Sequence, residues 1–110
     1  MATVFKNVLS SGLGTTPTTV LTSNASATTT VIGLSLTNTT SSILQVSIQL
    51  NDTVASTTAY FINNVTIPPN NSLRVINGGE RLVLGPSTQV KISSNAASSI
   101  DVVMSYVEIS

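Results

Sequence analysis

Eight side chains in this 110-residue chain carry a formal charge, and they are where chemistry would be sought first. The acids are Asp52, Glu80, Asp101 and Glu108, and the bases are Lys6, Arg74, Arg81 and Lys91; histidine and cysteine are absent. General acid–base work at neutral pH would fall to a pair of carboxylates with separated pKa values. The four acids stand far apart in sequence, mostly at turns or strand ends, where a solvated carboxylate is the simpler reading. A Ser–Lys nucleophile would need Lys6 or Lys91 beside one selected serine, and nothing singles out one serine among the many. Zinc asks for His or Cys, and calcium for several carboxylates in a short loop; Asn51-Asp52-Thr53 is too sparse. No phosphate-binding glycine loop is present, and Asn77-Gly78-Gly79 lies between strands, where it reads as a hairpin turn. The expectation is a protein that is not an enzyme and uses no cofactor and no metal.

The charges sum to zero, so no field draws in nucleic acid or an anionic membrane. Near-zero net charge with few surface charges favours association, and a homo-oligomer or larger assembly is expected. Without cysteine there are no disulfides, and stability must come from packing and assembly. Glycan sites commonly stack sugars on aromatics. The aromatics are Phe5, Tyr60, Phe61 and Tyr106, and core packing accounts for most of them, with Tyr60 or Phe61 as alternative interface anchors. A glycan- or receptor-binding module would place its pocket there. Asn-x-Ser/Thr triplets begin at Asn24, Asn38, Asn51, Asn64 and Asn70, as composition alone produces them. Residues 1–14 lack the apolar run of a signal peptide or membrane anchor, so a cytoplasmic product is expected.

The elements that must position these residues read as strands throughout. Ser, Thr and Asn make up about two-fifths of the chain, interleaved with Val, Ile and Leu, as suits a pleated, half-buried surface. Period-two alternation predicts strands over 3–9, 18–22, 30–37, 43–51, 57–67, 72–76, 80–84, 88–93 and 100–109. In the third, Ile32, Leu34 and Leu36 share a face. In the fourth, Leu44, Val46, Ile48 and Leu50 do, and these two strands read as an antiparallel pair joined by a turn at 38–42. Asn63-Asn64 suggests a bulge. The fold class expected is all-β: a single domain over 1–110, a two-sheet antiparallel β-sandwich of eight or nine short strands, jelly-roll or Greek-key in connection. Residues 1–14 would serve as an edge strand or an extended arm. No constant repeat supports a solenoid, and 41% hydrophobic residues with a mean hydropathy of +0.38 disfavour disorder.

The last predicted strand differs from the others. Ile100, Val102, Met104 and Tyr106 share one face, while Val103, Val107 and Ile109 make the opposite face apolar too. Such a strand is either central in the sandwich or pressed against a neighbouring subunit. Val103, Val107 and Ile109 are therefore interface candidates, with Thr3, Val4 and Phe5 as a nearby arm; completion of the monomer core is the competing reading.

Several segments resemble the small β-sandwich virion structural proteins of tailed bacteriophages. They are Phe5-Lys6-Asn7, Thr16-Pro17-Thr18-Thr19-Val20, Val31-Ile32-Gly33-Leu34-Ser35-Leu36-Thr37-Asn38 and Ile67-Pro68-Pro69-Asn70-Asn71-Ser72-Leu73. So are Asn77-Gly78-Gly79-Glu80-Arg81-Leu82-Val83-Leu84, Ser93-Ser94-Asn95-Ala96-Ala97-Ser98-Ser99-Ile100-Asp101-Val102 and Tyr106-Val107-Glu108-Ile109-Ser110. The similarity spans almost the whole chain and consists of strand and turn patterns. It implies a non-enzymatic virion component made in the bacterial cytoplasm. Such a component is a capsid decoration (cement) protein binding the major capsid protein, or a tail, neck or fibre accessory. For cement proteins of this size it also implies a homotrimer.

Overall fold

Nine β-strands make up the regular structure of this computed structural model, which describes residues 3–76 and 81–109. They are β1 Thr3–Leu13, β2 Thr18–Thr22, β3 Thr28–Asn38, β4 Leu44–Asp52, β5 Thr57–Ile67, β6 Ser72–Ile76, β7 Leu82–Leu84, β8 Thr88–Ser94 and β9 Ile100–Ile109. Every pairing is antiparallel. β1 lies beside β9, β2 beside β8, β3 beside both β6 and β7, and β4 beside β5, so the chain forms one long folded-back ribbon. The ribbon is rolled until β9 also meets β3 and β8 also meets β4. Two sheets result: sheet A, ordered β1-β9-β3-β6 with β7 also on β3, and sheet B, ordered β2-β8-β4-β5. This is the wiring of a jelly roll, within the all-β sandwich class expected from the alternation.

The core lies between the sheets and is aliphatic. Val31, Leu36, Ile100, Val102, Met104 and Leu84 from sheet A meet Leu44, Val46, Ile48, Ile67, Val90 and Ile92 from sheet B, all essentially without solvent contact. Each such side chain contributes about 1.5–3 kcal/mol by leaving water. Asn63-Asn64 forms the expected bulge: the register of β4 with β5 shifts between Val46 and Ile48, and Asn64 takes a φ of 52°. Ser47 Oγ accepts the Asn64 N–H there at 3.0 Å.

Four local expectations are corrected. β3 and β4 are not a hairpin; they belong to opposite sheets, and residues 39–43 carry the chain across the sandwich. In β3, Val31 rather than Ile32 points inward, because the register with β9 shifts between Val31 and Gly33 and turns Ile32 out. β1 does not stop at Leu9 but continues to Leu13 through a bulge at which Gly12 adopts φ 70°. The predicted turn Asn77-Gly78-Gly79 and Glu80 lie outside the described residues, but β6 and β7 do not pair with each other as a hairpin would require. They follow one another along the same edge of β3.

Hydroxyls and amides are not confined to the surface. The Asn38 side chain is fully buried at the sheet crossing. Its Nδ2 donates to the carbonyls of Ser42 at 2.8 Å, Ile67 at 3.1 Å and Pro68 at 3.2 Å. Its Oδ1 accepts from Thr40 N at 2.9 Å and Thr40 Oγ1 at 2.7 Å. Buried Ser99 ties the β8–β9 loop to Leu13: its N–H donates to the Leu13 carbonyl at 2.8 Å, while its hydroxyl donates to Ala96 O at 2.7 Å. Ser23 Oγ donates to Gly85 O at 2.5 Å and accepts from Thr88 N at 2.8 Å. These contacts satisfy loop backbone groups that the sheets cannot reach. Among the described residues Thr29 is the exception, fully buried with a hydroxyl that has no partner there.

Candidate interaction face

The described carboxylates are each engaged in local structure. Asp52 accepts the N–H groups of Val54 and Ala55 at 3.0 and 3.1 Å and caps the β4–β5 turn. Asp101 accepts from Ser11 Oγ at 3.0 Å and Gly12 N at 3.2 Å, pinning the β1 bulge. Glu108 takes the Lys6 ammonium at 3.0 Å. The hydrogen bond to Glu108 and that residue's charge hold the Lys6 proton above the ordinary lysine range. Among the described residues, no three His, Cys, Asp or Glu side chains gather as a metal site would require.

The outward side of sheet A is a different kind of surface. Strand register sets its side chains in rows. Phe5, Val107, Thr30 and Val83 form one; Leu9, Val103, Ser35 and Arg74 form another. Thr3, Ile109 and Thr28 lie at one end of the face. Between the two apolar rows runs a row of small or polar residues, Asn7, Ser105 and Gly33, into which the bulge turns Ile32. Phe5 is 74% exposed, Leu9 70%, Val83 64% and Val103 49%, whereas Val107 is closed off beneath its neighbours. A shallow depression of about 410 Å3 is walled by Phe5, Asn7, Ile32 and Ser105. A second, of about 300 Å3, runs from Phe5 past Ile32, Val107 and Ile109 to Arg81. Arg74 ends the second row on β6, and Arg81 borders the second depression ahead of β7.

The sequence-derived candidates thus divide. Thr3, Phe5, Val103, Val107 and Ile109 share the outward face of sheet A, where β9 is the central strand of its sheet between β1 and β3. Val4 is exposed on the opposite side of β1. Tyr60 and Phe61 belong to β5 in the other sheet: Tyr60 is exposed and opposite Gln49, and Phe61 is half-buried against the core. The expectation that core packing accounts for most aromatics is corrected, since Tyr106 alone of the four is buried. Leu9, Ile32 and Val83 were missed. Leu9 and Val83 carried a signal in their parity with Phe5 and with the outward positions of β7, but Ile32 could be found only once the β3 bulge was known.

No family model, curated protein or solved structure matches this chain.

Proposed function

We propose that this protein is a non-enzymatic structural subunit of a phage virion, a capsid decoration protein that grips the major capsid protein and copies of itself through the outward face of sheet A. The observation that carries the reading is the double apolar row on that face, flanked by Arg74 and Arg81. Large apolar side chains grouped on one outward face, as Phe5, Leu9, Val83 and Val103 are, mark a surface of contact more often than a bare one, and apolar side chains with arginine at their margin are the usual make-up of a protein–protein contact. The resemblance of the strand and turn segments to phage virion proteins supplies the virion context. Jelly-roll wiring, which viral capsid domains use, agrees with it at the level of fold analogy. A tail, neck or fibre accessory would use the same face at lower copy number.

The decisive measurement is protein stoichiometry in purified particles, by quantitative mass spectrometry. A decoration protein is present in numbers commensurate with the major capsid protein, and a neck or tail piece in far fewer copies. Absence from particles, together with a chain that is monomeric in solution, overturns the virion reading. A glycan- or receptor-binding module is the second reading. It rests on Tyr60, an exposed aromatic beside Gln49 at the β5 end of a polar row that continues through Lys91 to Thr19 on sheet B. Glycan-array binding abolished by Tyr60→Ala would favour it.

A further inference from the structure

We infer that β1 pairs antiparallel with β1 of a second copy of this chain, across a two-fold axis at Asn7, so that two A sheets become one continuous sheet. The inference rests on the assembly reading above and names the first partner in that assembly.

A sheet edge exposes unpaired N–H and C=O groups, and natural sheets blunt such edges with short strands, prolines or bulges. The edges of this sandwich differ in that respect. β2 is five residues long, follows Pro17 and is bulged between Thr19 and Leu21. β5 is bulged at two places against β4 and turns at Asn64. The edge opposite β1 in sheet A is divided into β6 and β7, five and three residues long. Over Thr3 to Ser10, ahead of its bulge at Gly12, β1 has none of these devices: its register with β9 is unbroken there, it contains no proline, and most of it is exposed on both faces. The chain's zero net charge leaves no overall repulsion between copies. The one charge in β1, Lys6, is already neutralised by Glu108.

Self-pairing also has a preferred register. A two-fold axis perpendicular to the sheet keeps outward side chains outward, so a residue must face its own copy at the axis. Centred on Lys6, the pairing sets two lysines directly opposite, which is unfavourable. Centred on Val8, it places Leu9 against Asn7 and Phe5 against Ser11. Centred on Asn7, Phe5 of each copy faces Leu9 of the other, Lys6 faces Val8, and Thr3 faces Ser11. Of these three arrangements, the last joins the apolar rows of both copies across the seam while pairing β1 over its unbroken length. Two-fold pairing gives an even-numbered assembly, unlike the trimer implied by the virion-protein resemblance.

The chain has no cysteine, so one introduced thiol reports on the axis without interference. Directly opposed residues in an antiparallel pair have Cα atoms about 4.5–5.5 Å apart, within the range a disulfide spans. Under mild oxidation, Asn7→Cys is expected to give mostly covalent dimer, Lys6→Cys and Val8→Cys several-fold less, and Thr58→Cys on the β5 edge none. In sedimentation equilibrium, Asn7→Lys, which sets like charges at the axis, should weaken dimerisation at least about tenfold while circular dichroism and melting stay unchanged. A cross-linking maximum at any other β1 position overturns the axis. An oligomer that cross-links at no β1 position overturns edge pairing while leaving assembly through the face intact. A monomer absent from particles overturns both.

Discussion

Sheets A and B share one core and one folded-back ribbon, yet their outward sides are built by opposite rules. On sheet B the outward rows run Thr19, Lys91, Gln49, Tyr60 and Thr22, Gln89, Asn51, Thr58. Within the second row the side chains bond sideways: Asn51 Nδ2 donates to Gln89 Oε1 at 3.0 Å, and Thr58 Oγ1 donates to Asn51 Oδ1 at 3.0 Å. That surface satisfies itself and water. On sheet A the same outward positions hold Phe5, Leu9, Val83 and Val103, apolar side chains that the fold leaves about half or more in water. Inward alternation is common to both sheets and makes the sandwich. The use of the molecule is therefore sought in the outward positions, which folding leaves free to vary.

If that separation of fold from face is right, disturbing the joint between the sheets should affect stability far more than disturbing either face. Asn38→Ala strips the sheet crossing of all the side-chain bonds described above and leaves buried carbonyls unpaired. A loss of about 3 kcal/mol is expected, read from the urea midpoint; a loss under about 1 kcal/mol would mean other contacts hold the crossing. The faces themselves are tested in matched pairs. Phe5→Ser with Leu9→Ser should raise the self-dissociation constant at least about tenfold, equivalent to about 1.4 kcal/mol, with folding stability within about 0.5 kcal/mol. Gln49→Ser with Gln89→Ser on sheet B should leave sedimentation unchanged, and equal losses from both pairs would erase the distinction between the faces. Thr29→Val removes a buried hydroxyl without a partner and keeps the side chain's shape, so melting should rise, by about 1 kcal/mol of stability, with association unaltered.

The smallest effect concerns Lys6 and Glu108. Because folding raises the lysine pKa, the pair's contribution is complete at neutral pH and disappears as pH climbs through that raised value. Glu108→Gln should return the Lys6 titration, followed by NMR of its ε-methylene, to the ordinary lysine range. Stability at neutral pH should hardly move, as the pair is exposed to solvent. An unchanged titration would show that the two side chains do not pair in solution.

Strand positions were readable because their punctuation is chemical. Pro17 before β2, Pro68 after β5, Asn70-Asn71 before β6 and Ser98-Ser99 before β9 mark ends that the backbone itself enforces. Partners were not readable. An alternating run looks the same whether the next strand returns beside it or crosses to the other sheet, and the buried Asn38 that fixes the crossing resembles any turn asparagine. The bulge in β3, unlike the one at Asn63-Asn64, is equally silent: alternation counted through Ile32 gives the wrong parity for Val31, since the extra residue shows only when β9 lies alongside. Phe5 was legible as an interface candidate because it stands close to the amino terminus, while aromatic content taken alone pointed to the core. Leu9 shares the parity of Phe5 within the predicted strand 3–9, but no feature of that run says which of its two faces is outward.

The β1–β9 pairing brings together residues such as Lys6 and Glu108, 102 positions apart along the chain. A polypeptide still emerging from the ribosome carries Phe5 and Leu9 long before Val103 and Val107 have been synthesised. The apolar rows come into being only when β1 and β9 close on each other, a slow class of event for strands so remote in sequence. The face proposed to bind partners is therefore a product of folding, absent from the chain until β9 has closed on β1.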